Sequence, residues 1–170
     1  VPGNALSTQC KMRVKYPQNA NATNLSSGWY LRGNVTVGAP NGGENWQIYE
    51  TRAINWTKKG SVAEVTIDYS HNGANWTTLA SGVNASNLTW NWTIANTTNT
   101  TNLQGLIRIT GSDNGNDVDS SNSGFTIRGS LNLTAPDASG IVLNYGGSPY
   151  QITWTKAGAI ANVTLKYATD

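Results

Sequence analysis

The chain repeats itself with a period of about 96 residues. "SGWYLRGNVTVGAPNGGENW" (27–46) returns as "SGFTIRGSLNLTAPDASGIV" (123–142), 96 positions further on. "INWTKKGSVAEVTIDYS" (54–70) returns as "ITWTKAGAIANVTLKYA" (152–168), now 98 positions on, so two residues are inserted between the blocks near "LNYGGSP". On the other side, "KMRVKYPQNANATNLSSGWYLRG" (11–33) aligns with "LIRITGSDNGNDVDSSNSGFTIRG" (106–129). Self-similarity at a fixed period makes each repeat one structural unit, which constrains the fold more than any single motif does. The chain is then read in three parts: 1–33 as the C-terminal part of a preceding unit, 34–129 as one complete unit, and 130–170 as the N-terminal part of a following unit. A unit of this length suits a small β-sandwich.

Local patterning agrees. No stretch has a helical period, while Thr, Trp and Tyr favour strands and Asn and Gly favour turns, so the chain is expected to be all-β. Strands are expected at 34–37, 52–57, 63–70, 76–80, 87–94, 106–110 and 124–128. "HNGANW" signals a hairpin, with Asn72-Gly73 supplying the positive φ of a tight turn. "GAPNGGE" signals another turn, where Pro40 and Gly42-Gly43 stop the ladder. Charged residues make up only 12% of the chain and the net charge is +2. So weak a field gives no argument for nucleic acid or an anionic membrane. No run of about 18 apolar residues suggests a membrane span. The chain opens without Met or a signal peptide and is read as a mature or excised piece of something longer. Its lone Cys10 excludes a disulfide-stapled mini-domain.

The motifs "APNGGENW", "INWTKKGSVAEVTIDYSHNGANWTTLA", "LTWNWTIANTTNTTNLQGLIRITGSD" and "SGFTIRG" resemble the PNGGE-W repeat. That Ig-like module is related to the N-terminal domain of yeast cell-wall synthesis (Kre9/Knh1-like) proteins and recurs in microbial surface proteins. The resemblance implies tandem Ig-like β-sandwich repeats in an extracellular setting, acting as spacer or structural repeat with no common active site. The last part departs from the signature, since "APDASGIVLNYGGSPYQ" replaces "APNGGENWQIYETRA".

Asparagine supplies the second strong signal. Twelve of the 22 asparagines begin an Asn-x-Ser/Thr sequon: Asn21, Asn24, Asn34, Asn55, Asn75, Asn84, Asn87, Asn91, Asn96, Asn99, Asn132 and Asn162. Composition alone would produce about five, and the triplet is the acceptor for N-linked glycans. In a strand, residues i and i+2 share a face, so an apolar x puts Asn and Thr outward and x inward. Val35, Trp56, Trp76, Leu88, Trp92, Leu133 and Val163 are the expected inward residues. Asn96 and Asn99 are expected in a loop. Between repeats Asn55 is matched by Thr153, Asn162 by Glu64 and Asn132 by Thr36. Asparagines that move but keep the outward parity suit selection for acceptors rather than for the fold. Some of the threonines, Thr57 and its counterpart Thr155 among them, read as features of the strands. Sequons without an acidic residue two positions upstream suit archaeal or eukaryotic machinery better than the stricter bacterial kind, and the near absence of cysteine tilts the reading towards an archaeal surface protein.

No catalytic constellation emerges. His71, the only histidine, is expected to be an exposed turn residue, and no Ser-His-Asp, zinc set or carboxylate pair can be assembled. The one calcium candidate is "DNGNDVD", with Asp113, Asp117 and Asp119, but it lacks EF-hand spacing and is read as a solvated loop. The tryptophans Trp46, Trp56, Trp76, Trp90, Trp92 and Trp154 are expected in the core, and Trp29, replaced by Phe125, with them.

The expectation is therefore a structural, non-enzymatic, extracellular or cell-surface glycoprotein without cofactor, part of a filament, sheath or surface layer. Its partners are copies of itself, joined head to tail, or neighbouring repeats of a longer chain. The alternative is a spacer or carbohydrate-binding module of a secreted hydrolase or adhesin, which needs an exposed aromatic platform.

Overall fold

The computed structural model describes residues 7–96, 98, 104–112 and 117–168. Within them the chain is all-β, in several sheets, none of them closed. Four strands lead: β1 (Ser7–Cys10), β2 (Arg13–Tyr16), β3 (Asn19–Leu25) and β4 (Trp29–Leu31). The central segment adds β5 (Asn34–Ala39), β6 (Asn45–Gln47), β7 (Thr51–Lys59), β8 (Glu64–Ser70) and β9 (Thr77–Asn84). It continues with β10 (Thr89–Thr93), β11 (Leu106–Gly111), β12 (Val118–Ser120) and β13 (Thr126–Arg128). Strands β14 (Ser130–Ala135) and β15 (Thr153–Ala157) follow.

Two antiparallel sheets dominate, in the orders β10-β7-β5 and β12-β11-β8-β9, and β6 pairs with β13 in parallel. Alternation explains their inner faces. Val35 and Val37 on β5 and Ile54 and Trp56 on β7 belong to the same buried cluster as Ile67 on β8 and Ile109 on β11. Burying such a side chain contributes about 1.5–3 kcal/mol. Aromatic rings fill the cluster at one end, with Trp46 and Phe125 centroids 4.9 Å apart and Tyr69 and Trp92 5.0 Å apart. The Asp119 carboxylate accepts the Val37 N–H at 2.7 Å and so ties β12 to β5.

The expected strands exist, with shifted ends. β5 runs on to Ala39 over a bulge after Val37, and β7 runs further at both ends because Lys58 and Lys59 pair with β5 and Thr51 with β10. The expected strand 87–94 begins only at Thr89: Ala85–Asn87 form a 3₁₀ turn, and Leu88 ends it with φ 59°. This conformation breaks the parity, so Leu88 is 43% exposed instead of inward. The "HNGANW" connection spans six residues between Ser70 and Thr77 rather than a two-residue turn, and of Asn72-Gly73 only Gly73 has positive φ. Two short strands, β6 and β12, were not expected; both are three residues long, β6 pairing with the distant β13 and β12 folding back on β11 just before it.

The ladders recur along the chain. β5 pairs with β7 as Asn34↔Lys59, Val35↔Lys58, Thr36↔Thr57, Val37↔Trp56 and Ala39↔Asn55. β14 pairs with β15 as Ser130↔Ala157, Leu131↔Lys156, Asn132↔Thr155, Leu133↔Trp154 and Ala135↔Thr153, with the bulge in the same place. Each position is the sequence counterpart of the other. Lys58 Nζ donates to Val62 O at 2.8 Å, and Lys156 Nζ to Ile160 O at 2.7 Å. The glycines before these strands are needed for close approach. A Cβ on Gly33 would stand 2.5 Å from the Val62 side chain, and one on Gly129 2.8 Å from that of Ile160.

The same holds upstream. β2 pairs with β3 as Arg13↔Leu25, Val14↔Asn24 and Lys15↔Thr23, and β11 with β12 as Arg108↔Ser120, Ile109↔Asp119 and Thr110↔Val118. Met12 O accepts the Ser26 N–H and Met12 N–H donates to Ser26 Oγ, each at 2.9 Å, and Ile107 makes the same two bonds with Ser121, at 2.8 and 3.0 Å.

Candidate functional site

The outer face of the β10-β7-β5 sheet carries the densest group of acceptor asparagines. Asn34, Asn55 and Asn91 lie there, each exposed, each followed by a buried residue: Val35, Trp56 and Trp92. The strand period of two produces this arrangement directly. Threonine hydroxyls organise the face. Thr89 Oγ1 donates to Asn55 Oδ1 at 2.7 Å across the strands, and Thr36 Oγ1 to Asn34 Oδ1 at 3.0 Å within one sequon. Both bonds use the carbonyl oxygen of the asparagine rather than the amide nitrogen, the atom to which an N-glycan is joined.

Elsewhere the pattern holds for the asparagines but less well for their neighbours. Asn21, Asn24, Asn75, Asn84, Asn87, Asn96, Asn132 and Asn162 are also exposed, and Asn99 lies outside the described residues. Asn84 caps the 3₁₀ turn, accepting the Ser86 N–H at 2.9 Å, and Asn96 accepts the Gly158 N–H at 2.8 Å. Among the residues expected inward, Trp76 and Val163 are half-buried, and Leu133 is exposed like Leu88. Trp76 is instead covered from outside: the Arg108 guanidinium lies 4.3 Å from its ring centre. Trp90 is half-buried against the core, and Trp29 and Trp154 are exposed rather than buried.

The "PNGGE" turn is built around Glu44. Its carboxylate accepts the N–H groups of Asn41 at 2.8 Å and Gly42 at 2.9 Å. Partial burial works to raise this carboxyl, but the backbone N–H bonds from Asn41, Gly42 and Glu44 itself outweigh it and hold the group below its ordinary value. A lowered carboxylate stabilises the fold above its unfolded pKa and loses that contribution as pH falls through the folded value. Glu44→Gln is therefore expected to cost about 1 kcal/mol at neutral pH. In chemical denaturation the gap from the parent should begin to narrow as the pH falls below 4.5, the ordinary glutamate value, and close below the lowered folded value; a gap independent of pH would refute this role. The spacing of Asn41 and Glu44 was a readable signal for the contact.

The other candidates are scattered. Asp117 is buried at the start of β12 and Asp119 is committed to Val37, while Asp113 lies outside the described residues. Among the described residues no three His, Cys, Asp or Glu side chains stand together as metal ligands. His71 is half-buried, not exposed, at a cleft of about 310 Å³ lined also by Tyr69, Thr77, Leu79 and Trp92. Burial pushes the Tyr69 hydroxyl up to about 12, which keeps it protonated and neutral. No carboxylate or thiol lines this cleft among the described residues. Cys10 sits on β1, remote in sequence from His71. No helix among the described residues is long and apolar enough to cross a membrane. The chain matches no family model, no curated protein and no solved structure.

Proposed function

We propose that the chain is part of a structural, extracellular glycoprotein built of tandem Ig-like sandwich repeats of the PNGGE-W kind, and that it serves a filament, sheath or surface layer. One observation carries the reading: all eleven sequon asparagines among the described residues are exposed. The recurrence of the β5–β7 ladder in β14–β15 supports the repeat organisation. The function is mechanical. Each unit buries its own apolar core, while glycans on the outer strand faces cover the backbone, hinder proteases and keep sheet edges from pairing at random. No catalytic step is assigned. The carbohydrate-binding alternative needs a free aromatic platform; in the central segment Trp76 is already stacked under Arg108, and the exposed Trp29 and Trp154 lie in the two flanking parts.

Glycopeptide mass spectrometry on protein from its native source tests the reading. Sugar on most of the eleven exposed asparagines is the expected result. Bare asparagines throughout would overturn it and return the Asn-x-Thr pattern to strand chemistry alone.

A further inference from the structure

Two apolar faces stay open in this chain, and each consists of residues whose counterparts bury one another in the central segment. On the N-terminal side Met12, Val14 and Trp29 are exposed, while their counterparts Ile107, Ile109 and Phe125 are fully buried. On the C-terminal side Leu133, Trp154 and Leu165 are exposed, while Val37, Trp56 and Ile67 are buried. The difference is large: Val14 is 71% and Leu165 55% exposed, against 0% for both Ile109 and Ile67. Residues 161–168 form no strand, although their counterparts form β8, a strand with a partner on either side. The open C-terminal face already has a groove, of about 160 Å³, between Leu131, Leu133, Trp154 and Leu165.

We propose that these faces cover each other between two copies of the chain. The proposal deepens the structural reading above by naming the partner. In the central segment β11 lies on β8 with Ile107 opposite Tyr69 and Ile109 opposite Ile67. Transferred to the counterparts, β2 of one copy pairs antiparallel with residues 163–167 of the next, Met12 opposite Tyr167 and Val14 opposite Leu165. The polar contacts transfer as well. Ser121 Oγ donates to Pro40 O at 2.7 Å, and Ser26 and Pro136 occupy the same places, so the Ser26 hydroxyl, which in the single chain donates to Ser27 O at 2.9 Å, turns to Pro136 O on docking. Asp119 accepts from Val37 N–H, and Asn24, whose Oδ1 in the single chain accepts the Leu25 N–H at 2.8 Å, takes the place of Asp119 beside Leu133. The two central-segment strands without a counterpart here, β9 and β10, are both edge strands, so the ladder across the junction is complete without them. Because the two faces differ, docking is head to tail and continues as an open chain of copies.

One position opposes docking and makes the idea sharply testable. Arg108 is paired with Asp68 at 2.9 Å, but their counterparts are Arg13 and Lys166, two like charges directly across the ladder. Sedimentation velocity of the glycan-free 170-residue chain over a concentration series should show dimers and longer oligomers. Val14→Asp and Leu165→Asp should each leave monomers with unchanged thermal unfolding, since both side chains are exposed in the single chain. Lys166→Asp, which recreates the Arg–Asp pair, should tighten association about fivefold. A chain that stays monomeric throughout overturns the proposal. So does association that ignores the aspartates at 14 and 165, or that Lys166→Asp leaves unchanged. In native assemblies Asn24 should be bare, because docking encloses it; full occupancy there overturns the proposal too. Bare asparagines everywhere would sink the glycoprotein reading while leaving the association of glycan-free protein untouched, so the two can fail separately.

Discussion

Trp56→Ala is expected to destabilise the central segment by about 3–5 kcal/mol. Trp56 is 2% exposed at the middle of β7, and its indole N–H donates to Ala85 O at 3.0 Å. Alanine leaves a cavity the size of an indole and strands a buried carbonyl that water cannot reach. For a segment of this size the melting temperature should fall by about 12 °C or more. Trp154 is the built-in control. It occupies the same place in the β14–β15 ladder, opposite Leu133 as Trp56 is opposite Val37. It is exposed, so Trp154→Ala should cost under about 1 kcal/mol. Equal losses at the two positions would mean that burial does not distinguish them. Trp56→Phe should recover most of the packing and expose the hydrogen-bond share, about 1 kcal/mol.

Asp68→Ala should cost about 2–4 kcal/mol. Asp68 is a buried acid on β8 that accepts two bonds from Arg108, at 3.1 and 2.9 Å, and one from the Thr78 hydroxyl at 2.8 Å. Removing it leaves the guanidinium, among the described residues, with the Trp76 ring and takes the acceptor from Thr78 on β9. Asp68→Asn, which keeps the shape and the Thr78 acceptor, should lose less. The exposed pair Arg52–Glu50, 3.0 Å apart, provides the contrast. Arg52→Ala should change stability by no more than about 0.5 kcal/mol, because water screens both charges. Urea denaturation of the three variants decides the matter. An Asp68→Ala loss no larger than that of Arg52→Ala would show that the Arg108 cluster is decoration rather than a tie across three strands of one sheet.

The acceptor asparagines were the most legible part of the site. Asn-x-Thr with an apolar x dictates outward Asn wherever the segment is a regular strand, and at Asn34, Asn55 and Asn91 it is one. The inference about x failed at Leu88, because a single left-handed residue resets the parity, and no nearby residue type announced it. Glu44 and the Arg108–Asp68 pair went unread for different reasons. Glu44 acts within its own turn and could have been found by its spacing from Asn41. Arg108 and Asp68 are 40 residues apart, and nothing local to either points at the other.

What the sequence determined by itself is what depends on near neighbours and on counting. Parity within the regular strands, the turn at Gly42, the exposed asparagines and the recurrence of one ladder register at two places all follow from residue order. Only the tertiary structure decided which strands lie beside which: that β7 runs between β5 and β10, that β8 runs between β11 and β9, and that β6 finds β13 in parallel. It also decided the fate of matched residues. Trp56 and Trp154 sit in the same motif, on the same register, after the same bulge, yet one is buried and the other exposed. Burial belongs to whatever covers a side chain, and the cover for Trp56 comes from strands far along the chain. Residues 130–168 have no such cover, so the same local pattern ends in an open face.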